Sequence, residues 1–266
     1  MNSAGYMELL EYLLTRFQIY LLAVVRIGGL IATAPPFSYR NVPVQIKVGL
    51  TLILGLIVLP MLSTDPAAMP KDAVSYLVLL TRETIVGLLM GYVLLLFFMG
   101  VQFSGQLVGL QMGFGIVNVL DPMSSTQISI IGEFQYLIAM LLFLAVRAHH
   151  LLIEVLVGTF KWIPVGGVRL PASLGEGLIR ISAQVFVTAI KLGAPMIVTL
   201  FLTSVALGIV ARTVPQMNVF IVGFPLKIAI GLLMLGVSFP FFYYVFGRLL
   251  TGVWSDLEGI VGALSP

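Results

Sequence analysis

The chain has 266 residues, of which 59% are apolar and only 9% charged, and it has no cysteine. A water-soluble domain carries about 25% charged residues, so most of this surface cannot face water, and soluble enzymes, disordered chains, disulfide scaffolds and zinc-cysteine sites are excluded. The net charge of +3 comes from 14 basic residues, spread singly, against 11 acidic ones, which leaves no patch for a phosphate backbone and excludes nucleic acid as a partner. With 27 Gly and 14 Pro among long apolar runs, this is the composition of an all-α polytopic membrane protein with closely packed, interrupted helices.

In residues 7–18 the polar positions Glu8, Glu11, Thr15 and Gln18 recur at helical spacing, which predicts an amphipathic opening helix. Ala32-Thr33-Ala34 resembles a signal-peptidase site, but Pro35 follows it and Arg26 interrupts the apolar stretch, so no cleaved signal is expected. A spanning helix needs about 20 apolar residues. Windows 17–36, 44–62, 84–103, 127–146, 192–211 and 228–247 satisfy this and predict about six hydrophobic helices. Residues 149–163 are apolar but short and hold Glu154 and Lys161, which suits an interfacial or re-entrant element. With these spans, Arg16, Lys71, Arg82, Arg147, Lys161, Arg169, Arg180 and Arg248 fall on one side and Arg40 and Arg212 on the other, which predicts both termini in the cytoplasm.

Arg26, Lys47, Glu133, Lys191 and Lys227 lie inside or at the shoulders of apolar runs, and Arg212 borders a polar turn. A lone ionised group in lipid costs several kcal/mol and turns toward protein or water. Two readings stand: a proton or substrate relay of a secondary transporter, or contacts between helices and subunits, with snorkelling near the interface. Glu133 is the single acid of the set, which favours contacts. His149 and His150 are adjacent and so point to different faces of a helix, whereas metal-binding pairs sit at i, i+4. No catalytic or nucleotide-binding motif is present. Neither metal, cofactor nor enzymatic activity is expected.

In residues 100–126, Gly105, Gly109 and Gly113 repeat every four residues and predict a groove of bare backbone for a neighbouring helix, with Gln102 and Gln106 on an adjacent face. Beyond Gly113 the glycines weaken the helix, Asp121-Pro122 stops it, and Ser124, Ser125 and Thr126 offer the next N-cap. Such backbone at membrane depth must be buried in protein or line a cavity. A loop over about 106–122 is therefore expected to act as a plug, carrying Gln111, Met112, Phe114, Ile116, Val117, Asn118, Asp121 and Pro122. Farther on, Pro215, Gln216 and Asn218 form a polar turn and Pro225 is read as a helix start, so 185 onward makes a helical hairpin. Leu249, Leu250, Val253, Trp254, Leu257, Ile260, Val261 and Leu264 form a wide stripe, which predicts an amphipathic tail docked on a partner or a membrane surface.

The run Pro215-Gln216-Met217-Asn218-Val219-Phe220, with Gly223-Phe224-Pro225-Leu226-Lys227-Ile228 and Gly231-Leu232, closely resembles the FliR family of flagellar biosynthetic proteins, the T-type subunits of type III export gates. Ala34-Pro35-Pro36-Phe37, the Gly109–Phe114 run and Asp121-Pro122 are similar to that family too. The resemblance implies a gating subunit packed with FliP and FliQ, with FlhB associated, into a helical hetero-oligomeric export gate. That gate lies in the bacterial inner membrane at the flagellar basal body, contacts lipid, and passes unfolded flagellar subunits. It also implies a FliP-like part over 1–184 and a FliQ-like part over 185–266, with helices leaning on neighbouring subunits. Injectisome homologues share these features. A self-contained small-solute transporter is the alternative from a different class.

Overall fold

A computed structural model of the chain describes residues 3–39, 41–62, 69–70, 72–114, 129–169, 171–172, 174–214, 216 and 218–265. Among these residues the regular structure is all helical: α1 Ser3–Thr33, α2 Pro35–Ser38, α3 Val44–Val58 with a 3-10 turn Leu59–Met61, α4 Ala73–Met112, α5 Ile130–Ala145, α6 Ala148–Trp162, α7 Leu174–Thr213, α8 Val219–Val237 and α9 Phe239–Leu264. Four of these helices are long and apolar enough to cross a membrane, and the spans number six if the two broken pairs, α5 with α6 and α8 with α9, count once each.

The helix limits differ from the membrane-length windows for physical reasons. Window 84–103 is the middle of the 40-residue α4, and 192–211 is the second half of the 40-residue α7. Window 228–247 straddles the break at Ser238, where α8 and α9 meet at 60°. The apolar segment 149–163 is helix α6, and its break from α5 falls at Arg147, a non-glycine residue held at φ 56°. Pro225 lies inside α8; the helix starts earlier because Asn218 caps it, its Oδ1 and carbonyl accepting from the Ile221 N–H. Asp72 opens α4 in the same way, its carboxylate accepting from the Ser75 N–H at 2.8 Å, and this bond holds its pKa below the ordinary range. Arg82, Lys161 and Arg180 belong to helices, so a charge count over interhelical loops does not apply to them.

The chain divides into two compact units, each assembled from separated segments. The first joins residues 1–95, 147–179 and 253–266. Its centre is a tight crossing of α1 and α4, in which Gly29 presents bare backbone to the Thr84–Leu88 turn while Gly87 and Gly91 do so to Arg26 and Thr33. A side chain at Gly87 would collide with the Arg26 carbonyl, so this approach requires glycine. Helix α3 lies along α1, with Gly55 beneath Val24 and Tyr20, and the Tyr20 hydroxyl donates to the Leu52 carbonyl at 3.2 Å. The apolar stripe of the tail does not face outward: Val253, Leu257, Ile260, Val261 and Leu264 are buried in the chain itself, and the Leu264 carbonyl accepts from Arg169 N–H at 3.1 Å. This corrects the expectation that the stripe docks on a partner or membrane surface.

The second unit joins residues 96–146 and 180–252. Phe98 anchors it with edge-on contacts to Phe97, Tyr136 and Phe143, and Phe97 meets Phe246. Helix α7 runs unbroken through residues 184 and 185, and the limit between compact units on this helix falls at 179/180.

Candidate functional site

Two places concentrate unusual chemistry, one in each unit. In the first, Arg26 and Glu83 are both 0% exposed and form an ion pair, Nε to Oε2, at 2.6 Å. The glycine crossing creates this pair, because Glu83 sits one turn before Gly87 on α4 and Arg26 lies beside Gly29 on α1. Arg26 Nη1 donates to the Thr159 hydroxyl at 3.3 Å and to the Ile163 carbonyl at 3.1 Å, and Nη2 donates to the same carbonyl at 3.1 Å. The guanidinium also lies over the Phe160 ring, 4.3 Å from its centroid. The second Glu83 oxygen accepts from the Gly166 N–H at 2.8 Å. Both carboxylate oxygens and all three guanidinium nitrogens are thus engaged. An arginine in this state carries fixed charge and transfers no proton.

Arg26, expected at a subunit contact, is therefore enclosed by its own chain. Glu83 escaped the sequence reading because the apolar window opens one residue after it; the Gly87 and Gly91 spacing on the same face was the available signal. Lys47 is half-buried and donates to the Ser38 and Tyr39 carbonyls at 3.0 and 3.3 Å, fixing α3 against the turn after α2. Glu133 and Lys227 are half-buried on α5 and α8, whereas Lys191 and Arg212 are exposed on α7. His149 and His150 do not diverge as expected; their ring centroids lie 4.2 Å apart in the first turn of α6.

The second place is the end of α4. The helix continues through Met112, beyond the expected loop start at 106, because Gly113 at φ 98° supplies the left-handed residue that closes it. Gly113 N–H donates to the Leu110 carbonyl and Phe114 N–H to the Gly109 carbonyl, both at 3.1 Å, which satisfies two of the last four carbonyls of the helix. Upstream, Gly105 faces the backbone of Gly132 and Gly109 faces the Ser129 hydroxyl, so the four-residue glycine repeat receives the start of α5. Gln106 lies against Gly132, and the Gln102 carbonyl is also close to it. Ser129 caps α5 by accepting from the Gly132 N–H at 3.1 Å, in place of the expected Ser124, Ser125 or Thr126.

Met112 is 0% exposed and belongs to a core with Val108, Ile131, Met196 and Leu200, against which Phe114, Ile228 and Met234 pack. It was expected as a blocking group; its place on the final helical turn instead points it into that core. It rests on Gly231 of α8, where a Cβ would come within 2.7 Å of its Cγ, Sδ and Cε. Gly113 rests on the Phe224 ring in the same way. Gln111 is half-buried. Ile116, Val117, Asn118, Asp121 and Pro122 lie outside the described residues.

The profile of the bacterial export proteins, family 1, matches residues 17–253. The chain belongs to that family. Curated relatives carry the name flagellar biosynthetic protein FliR. The protein of Bacillus subtilis (strain 168) is 37% identical over 233 residues, 86% of this chain and 89% of the relative. That of Escherichia coli (strain K12) is 29% identical over 254 residues, 96% and 97% of the two chains. That of Aquifex aeolicus (strain VF5) is 31% identical over 230 residues, 86% and 87%. Of the motif that resembled this family, Gln216 and Asn218 lie in the turn before α8, while Phe220, Gly223 and Pro225 lie on α8 itself; Pro215 is outside the described residues. The buried Gly223 and Gly231 of this family member are on the helix that receives the end of α4.

Proposed function

We propose that the chain is a structural and gating subunit of a flagellar type III protein export gate in the bacterial inner membrane, forming with FliP and FliQ, and with FlhB alongside, the pore through which unfolded flagellar subunits leave. Family membership and the names of the relatives support flagellar export. The case for a hetero-oligomer rests on one mismatch. Helices α4 and α7 are each 40 residues, about 60 Å long, against a hydrocarbon core of about 30 Å. On α7 large apolar side chains stay exposed from Ile179 through Phe186, Ile190 and Phe201 to Ile209. That stripe rises about 45 Å, and laying it within the core needs a tilt of about 48°, beyond the usual limit of about 40°. Lipid covers part of it and neighbouring subunits cover the rest.

The gate in this reading is the segment following α4, with Ile116, Val117, Asn118, Asp121 and Pro122 beyond its root at Gln111, Met112 and Phe114. Saturation of the Arg26–Glu83 pair counts against a transporter relay through Arg26. The test is purification of the tagged chain with and without FliP and FliQ. The subunit reading expects a stable particle only when they are co-expressed, and a stable solitary chain or homo-oligomer that moves a small solute would defeat it.

A further inference from the structure

We propose that a water molecule binds inside the second unit, where α4, α5 and α7 meet, and bridges the Ser104 hydroxyl to the Gln135 carboxamide. Ser104 on α4 is 0% exposed and Gln135 on α5 is 3% exposed. Among the described residues, Ser104 Oγ and Gln135 Oε1 have no hydrogen-bond partner. The Gln135 amide nitrogen donates to the Met196 sulfur at 3.8 Å, a weak acceptor. Both side chains address the same turn of α7. A Cβ at Gly193 would lie 2.8 Å from Ser104 Oγ, and Met196 follows Gly193 by three residues, on the same face. The α4–α5 contact brings them there, because Gly105, next to Ser104, meets Gly132, three residues before Gln135.

Native interiors leave few buried polar atoms unpaired, and those without a protein partner are met by ordered water. A buried water needs two to four polar partners. This junction offers the Ser104 hydroxyl and the Gln135 amide, each able to donate and to accept. The water accepts from the Ser104 O–H and donates to Gln135 Oε1. A hard cation takes about six oxygen ligands, against two side-chain oxygens here, so the donor set selects water over a metal ion. The neighbouring core of Val108, Ile131, Met196 and Leu200 offers no competing oxygen or nitrogen from its side chains. The bridge is therefore directional where that core is held by dispersion alone, and it fixes the register of α4 and α5 along α7. It stands independently of the gate reading.

The test uses the full chain as it purifies in detergent, alone or with partners. Cryo-electron microscopy at a resolution that shows ordered water should place a peak within hydrogen-bond distance of Ser104 Oγ and Gln135 Oε1. A map that resolves other buried waters and shows none here, or that shows the two side chains bonded directly, overturns the proposal. Thermal unfolding gives a second measurement, because a hydrated and a dry junction predict opposite signs. Ser104→Ala, and Gln135→Met, which keeps the side-chain length, each remove one anchor of the water and should each lower the midpoint by about 2–4 °C. The double variant should lose less than the sum of the two, since the second anchor has no water left to hold. A rise in either single variant means that an unpaired polar atom was removed from a dry core and overturns the proposal, as do two losses that simply add.

Discussion

Replacing Glu83 with Leu leaves a fully buried guanidinium with no counter-charge, facing the Thr159 hydroxyl, the Ile163 carbonyl and the Phe160 ring. Replacing Arg26 with Met leaves a buried carboxylate whose remaining donor is the Gly166 N–H. Breaking a buried pair from one side costs about 3–5 kcal/mol, a large part of a total stability of about 5–15 kcal/mol. The double variant removes both charges, so the Coulomb and desolvation terms leave together; the Thr159 hydroxyl keeps its bond to the Leu156 carbonyl, and the remaining loss is the unmet hydrogen bonding of the Ile163 carbonyl and the Gly166 N–H, at about 1–3 kcal/mol for each group left unpaired. A double-mutant cycle should therefore show a coupling of about 2–4 kcal/mol, with the pair of changes costing clearly less than the sum of the two. Unfolding midpoints of the purified gate in detergent measure this, and accumulation of the chain in cells reports the same order. If the two losses simply add, the charges act independently and the reasoning from the 2.6 Å geometry is refuted.

Gly87→Val should prevent accumulation of the chain, because its side chain falls on the Arg26 carbonyl rather than on a movable group; normal accumulation on an immunoblot would contradict the crossing. Gly105→Ala meets the backbone of Gly132 and should destabilise by about 1–3 kcal/mol in detergent unfolding, whereas Gly208→Ala, on α7 with no atom within 4 Å, should stabilise by about 0.4–1 kcal/mol. Asp72 has a lowered pKa because the Ser75 N–H favours its charged form. It therefore contributes stability above its ordinary value of 3.8 and loses that contribution as pH falls through the lower folded value. Asp72→Asn removes the titrating group and should flatten this acid limb by lowering stability near pH 7 toward the acid value; an unaltered acid limb would show that Asp72 does not titrate with folding.

Helical class and the crowded glycine face were legible because both follow from local spacing. Gly105 and Gly109 recur every four residues, and bare backbone on one face has few uses other than close approach. Helix limits were less legible. A window tuned to bilayer thickness reports the apolar middle of α4 and hides Glu83 just outside it, although the helix runs 40 residues. Arg26 was visible as a charge needing a partner, yet the identity of that partner depends on the crossing of α1 and α4, two segments far apart in sequence. The tail shows the same limit. Its stripe from Val253 to Leu264 was readable as one face of a helix, but periodicity names a face and not what covers it. Pro225 was read as the helix start and Asn218 as part of the turn, whereas the Asn218 side chain caps α8 and Pro225 lies within it.

The scattered make-up of the first unit has a consequence for biosynthesis. Residues 253–266 help to enclose a body begun by residues 1–95, so a ribosome must translate through residues 253–266 before that body can close. Until then the surfaces that receive Leu257, Val261 and Leu264 stay uncovered. Closure of this unit therefore waits on the emergence of residues 253–266. A nascent chain interrupted before the tail carries an open apolar seam, which marks it for proteolysis before it can join a gate.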